Sequence, residues 1–146
     1  MVELKQGVLF LGGDGSAAET TSDFLATGSL QWQQGPRLPQ AMYSFCAVPV
    51  SSTKFLTIRG DKIHEFDAAI AGPTSEEGWR DSTLWPTLKT SRENHSCAKH
   101  GDKVILSGGW GGREYLQSTL VLDITTRTIS TGGDMATPRY LSLIHI

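Results

Sequence analysis

Four histidines, two cysteines and a glycine-rich stretch are the features of this 146-residue chain that invite a chemical reading. KVILSGGWGG, residues 103 to 112, spaces its glycines loosely like a loop that cradles a phosphate. Such loops draw their charge stabilisation from a helix N-terminus that follows directly. No helical pattern follows here, and Glu114-Tyr115-Leu116 leads into another strand. His64, His95, His100 and His145 show neither HxH nor HxxxH spacing and have no clustered carboxylates, so no metal site is expected. Ser44, Ser96, Cys46 and Cys97 lack an elbow motif that would present a nucleophile. Glu76-Glu77, Asp61, Asp102 and Asp123 read as solvated loop and turn carboxylates rather than an acid–base pair. The expectation is a chain without catalytic residues, metal or cofactor.

The elements that hold these residues are strands. Gly7-Val8-Leu9-Phe10-Leu11, Phe45-Cys46-Ala47-Val48, Lys54-Phe55-Leu56-Thr57-Ile58, Lys103-Val104-Ile105-Leu106 and Thr119-Leu120-Val121-Leu122-Asp123 are each strand-length. They are rich in β-branched or aromatic residues and bounded by Gly, Pro, Ser or Asp. No segment keeps helical periodicity for three turns, so the chain reads as all-β. Hydrophobic residues make up 38% and charged residues 19%, a globular balance. The net charge of −2 provides no basic field for nucleic acid or an anionic membrane, and no apolar run reaches the ~20 residues of a membrane span.

Internal repetition organises the strands. Gly12-Gly13, Arg59-Gly60 and Gly108-Gly109 each close an apolar strand, with Arg59 standing for the first glycine of the second pair. About twenty residues beyond each pair stand Trp32, Trp79 and Ile129, and Trp85 is a second candidate for the middle slot. Pro39-Gln40, Ser91-Arg92 and Pro138-Arg139 precede the strands that open each successive unit, and Cys46 and Cys97 are offset by 51. The units run over about 1–38, 39–90 and 91–140. A glycine pair at a strand end permits positive φ and close backbone approach. A tryptophan on an outer strand would fill the wedge between twisted sheets, and the smaller Ile129 predicts looser packing in the third unit. Cys46 and Cys97 read as two small core residues.

A strand ending in a glycine pair, a tryptophan twenty residues on, and a Pro-Arg-x-x-His-type lead into the next innermost strand resemble kelch repeats. The resemblance implies an incomplete kelch-type β-propeller built from four-stranded antiparallel blades. Its structural residues would be Gly12, Gly13, Trp32, Gly60, Trp79, Gly108 and Gly109. It also implies a non-enzymatic module whose rim binds a protein partner, such as an acidic peptide, actin or a ubiquitin-ligase substrate. Tyr43, Arg59, Arg92, His95 and Arg139 are the candidate ligand-binding residues, since arginine and aromatic side chains anchor interfaces. For Arg92 and Arg139 the competing role is to tie adjacent units by hydrogen-bonding loop carbonyls. The alternative function is part of a kelch-like propeller enzyme, of the copper-radical galactose oxidase or sugar-acid isomerase kind, with Tyr43 the one tyrosine plausibly placed for copper.

The chain's ends carry separate expectations. Met1 stands almost at a strand, and three units fall short of the roughly four to eight that close a propeller, so the intact protein is expected to be at least twice as long. Residues 141–146, LSLIHI, resemble the translation of a transposon end used in preparing sequencing libraries and are expected to be a non-native tail; the competing reading is a last strand. Asn94-His95-Ser96 matches a glycosylation sequon, read as a chance occurrence that would matter in a secreted protein. The compartment stays open, with a cytoplasmic location slightly favoured over secretion.

Overall fold

A computed structural model describes residues 1–13 and 20–141. Among the described residues the chain is all-β, arranged as three antiparallel sheets, apart from the one-turn helix α1 (Ala68–Ala71) and short 3-10 turns. Each sheet is a meander of sequence-adjacent strands. The first comprises β1 (Val2–Leu4), β2 (Gly7–Leu11), β3 (Ser22–Ala26) and β4 (Trp32–Gln34). The second comprises β5 (Cys46–Pro49), β6 (Lys54–Arg59) and β7 (Lys62–Asp67). The third comprises β8 (Ser96–His100), β9 (Lys103–Ser107), β10 (Thr119–Asp123) and β11 (Thr128–Thr131).

The second sheet departs from the expected four strands. Its hairpin turns on Gly60-Asp61 alone, β7 runs into α1 under an Asp67 cap, and the fourth strand is reduced to a bridge between Phe66 and Trp79. The cap is a 3.0 Å bond from the Ala69 amide to Oδ1 of Asp67. By contacts the chain divides into two compact units, with the residues of the second sheet shared between them. One comprises Met1–Tyr43, Pro49–Leu56 and His64–Asp81; the other comprises Ser44–Val48, Thr57–Ile63 and the chain from Ser82 onward.

In the first unit, Phe55 stacks on Phe66 at 5.1 Å, and the Trp79 ring meets both edge-on. Its Nε1 donates to the Arg37 carbonyl at 2.9 Å. Trp79 thus packs on rings of its own sheet, whereas the Trp32 ring is 58% exposed and touches Phe10, itself 41% exposed. The cause is the side of the sheet on which it lies. Leu9, Leu11 and Phe24 fill the covered face, so Phe10 and Trp32 point the other way by strand alternation. In the second unit the core holds Val104, Leu106 and Leu122 from the third sheet, together with Trp85, which is 5% exposed beneath the Arg127 guanidinium.

The glycines at the strand ends take left-handed backbone and sit against carbonyls of later loops. Gly12, Gly60 and Gly108 share φ near +60°, but the Gly60 amide donates to the Arg92 carbonyl at 3.0 Å, the bond that the second glycine makes in the other pairs, so Arg59 holds the first position of the middle pair. A Cβ at Gly12 would strike the Met42 carbonyl, and one at Gly108 the Arg139 carbonyl, so both strand ends need glycine. Gly13 and Gly109 donate their amides to those same carbonyls, at 3.3 and 2.8 Å. The residue equivalent to Arg139 in the first repeat is thus Met42, fully buried, and not Gln40.

A second backbone regularity ties the repeats together. Ser44, Asn94 and Leu141 have φ of 55°, 53° and 52°, although none is glycine. The Asn94 amide donates to Ser44 O at 3.0 Å, and the Leu141 amide to Asn94 O at 2.9 Å. Leu141 keeps this pattern; the rest of the expected tail, residues 142–146, lies outside the described residues. The two cysteines are likewise not separate core residues. Cys46 of β5 and Cys97 of β8 form a disulfide, with their Cα atoms 6.0 Å apart.

Candidate functional site

Four of the five candidate residues, Arg59, Arg92, His95 and Arg139, lie in the second compact unit. Three of them converge on Gly108-Gly109. Arg92 Nη1 donates to Gly108 O at 2.8 Å and to Ser118 O at 2.9 Å, while Nη2 reaches Ser118 Oγ at 2.7 Å. The Gly109 amide holds the Arg139 carbonyl, and Gly109 lies against the Cα and Cβ of His95. Arg92 is 1% exposed, so its main work is tying loop carbonyls together. Burial lowers its pKa, opposed by the charge of Asp134. Arg59 faces Glu93 at 3.8 Å, a partly exposed pair of modest value. Arg139 contributes its backbone to the glycine pair and is exposed as a residue. Tyr43, 40% exposed, belongs to the first compact unit.

His95 is 5% exposed and neither ring nitrogen reaches a hydrogen-bond partner. Burial, and then the Arg92 guanidinium, push its pKa down to about 4, with the Arg92 backbone pulling weakly the other way. The folded chain therefore keeps His95 neutral where an unfolded chain, with an ordinary value of 6.5, takes up a proton. Stability from this group is complete above pH 6.5 and is lost as the pH falls towards 4, by about 3 kcal/mol. Urea midpoints measured at pH 7.5 and 4.5 will show a smaller acid loss for His95→Gln than for the parent. Equal losses would place the acid sensitivity elsewhere.

Two surface features frame this cluster, and sequence reasoning found neither. The first is an aromatic ladder on the loop after Gly108-Gly109. Trp110 tilts against Tyr115 at 5.1 Å, and Tyr115 stacks on Tyr140 at 4.5 Å and 16°. Tyr115 and Tyr140 are 50% and 45% exposed, and Arg113 and Arg139 are exposed nearby in the chain. The rings come from three separated positions, so no local motif announces them; a Trp after the glycine pair, followed by Tyr five residues later, was the available signal. The second feature is a cleft of about 720 Å3 between the segment preceding Arg92 and the β10–β11 hairpin. Ile129, standing where the other repeats have tryptophan, is one of its walls. Among the described residues, no three His, Cys, Asp or Glu side chains gather to hold a metal ion.

Comparison with solved structures places the fold. A structure described as "Structure of YjhT" superposes with a TM-score of 0.69 over 85% of this chain, at 12% identity. This chain spans 41% of that one. The likeness is one of fold, and with the three meander sheets it defines the chain as an incomplete all-β propeller-like protein. No family model and no curated protein matches.

Proposed function

We propose that the chain is part of a kelch-repeat propeller acting as a recognition module for a protein partner, with the Trp110–Tyr115–Tyr140 ladder and the neighbouring arginines as its contact surface. The observation that carries this reading is the ladder itself. Large half-exposed rings, held rigid by stacking on one another, lose little freedom on binding, and tyrosine, tryptophan and arginine dominate interface hot spots. Arg113 and Arg139 favour an acidic partner. The R-x-x-H lead formed by Arg92 and His95, together with the strand-end glycines, supports the kelch attribution.

In the full-length protein, Tyr115→Ala combined with Arg139→Glu is expected to weaken retention of crosslinked partners by about tenfold or more. The melting temperature should stay close to the parent's, because both side chains are largely exposed. Unchanged retention by a folded double variant would remove the ladder from the contact surface.

A further inference from the structure

We propose that Asn94 is an N-linked glycosylation site and that the chain matures in an oxidising secretory compartment. The sequon Asn94-His95-Ser96 reads as a chance match in isolation, and the disulfide is what changes its weight. Cys97, three residues after Asn94, is bonded to Cys46. Such bonds persist where thiols are not kept reduced, and asparagine-linked sugars are added in the same setting. Asn94 is the only asparagine of the chain, so the acceptor is unambiguous. The inference does not depend on the aromatic ladder, but it makes any partner there a luminal or extracellular one.

The local structure leaves the acceptor side chain available. Asn94 stands in the loop just before β8 with φ of 53°, a left-handed conformation that asparagine adopts more readily than most residues. Its peptide groups are occupied, the amide by Ser44 O at 3.0 Å and the carbonyl by the Leu141 amide at 2.9 Å. The residue is partly exposed, and its carboxamide makes no hydrogen bond to a described residue yet is not closed off from solvent. A sugar on Nδ2 therefore displaces no such bond. Ser96 is buried with its Oγ unpartnered, so the sequon can use this hydroxyl only before the chain folds. In the transfer, Nδ2 attacks the anomeric carbon of a polyisoprenyl-pyrophosphate-linked oligosaccharide. The N–C bond forms as the C–O bond to the pyrophosphate breaks; the pyrophosphate leaves with the electron pair, and Nδ2 gives up one proton to the transferase.

Trypsin cuts after Arg92 and Lys99, so one peptide carries both Asn94 and Cys97 and reports the two features together. Mass spectrometry of the full-length protein from its native cells, digested without reduction, is expected to show this peptide bearing hexosamine and linked to the peptide that holds Cys46. Peptide N-glycosidase in heavy-oxygen water should convert Asn94 to labelled aspartate. In full-length protein expressed by secreting eukaryotic cells, Ser96→Ala should lower occupancy at Asn94 by about tenfold or more, and Ser96→Thr should retain it. Ser96→Ala is the cleaner variant, because it removes a buried hydroxyl that has no partner and should not lower the melting temperature. Asn94→Gln would also disturb the left-handed backbone. An unmodified Asn94 in the native protein, or undiminished occupancy in Ser96→Ala, would overturn the proposal.

Discussion

Replacing Cys46 and Cys97 together by alanine is expected to lower stability by about 4 kcal/mol. The bond closes a 51-residue loop, and the entropy of closing such a loop in the unfolded chain sets that magnitude. A domain of this size should lose roughly 10 °C in melting temperature. Reductant should lower the parent's melting point to that of the double variant and leave the variant unaffected. A parent that melts identically with and without reductant, while showing two alkylatable thiols, would mean the pair is unbonded in solution. The stabilisation also depends on surroundings, because such bonds persist in oxidising compartments and are reduced elsewhere.

Arg92→Ala is expected to cost about 3 kcal/mol or more, even though no ion pair to it forms among the described residues. Its loss removes three charge-assisted hydrogen bonds and leaves the Gly108 and Ser118 carbonyls short of partners in a buried setting. Arg92→Lys should recover only part of this, since an ammonium cannot reproduce the planar fork. Arg139→Ala is the control: an exposed side chain whose backbone carries the contact should change stability by only about 0.5 kcal/mol. Urea denaturation of the three variants would check the order. If Arg92→Ala and Arg139→Ala proved equally mild, the Arg92 bonds would not be holding the loops.

What could be read from the sequence was whatever leaves a fixed residue type behind. The strands and the glycine turns were legible, because Gly12 and Gly108 combine positive φ with a carbonyl packed against the Cα, and only glycine satisfies both. The middle repeat was legible as well: Arg59 stands in the first slot, and the Gly60 amide makes to Arg92 O the bond that Gly13 and Gly109 make to Met42 O and Arg139 O. Met42 was overlooked because what recurs in that slot is a backbone carbonyl accepting from a glycine amide, and a carbonyl marks no residue type.

Trp32 shows the reverse case. Its residue type and spacing were right, yet which face of a strand is covered depends on what lies across from it, which spacing does not encode. The disulfide was hidden because an offset of 51 says that two strands are equivalent, not that their side chains meet. The Arg92 and His95 cluster was visible as a motif. The aromatic ladder and the cleft were not, since both arise from positions brought together only by folding.

The head-to-tail amide links at Ser44, Asn94 and Leu141 are made by peptide groups alone. A joint of that kind is blind to residue identity, requiring only a backbone that tolerates left-handed geometry. Mutational drift can therefore rewrite nearly every side chain around it while the pitch from one repeat to the next stays constant. The same architecture surviving at 12% identity is what such an indifferent hinge point would permit.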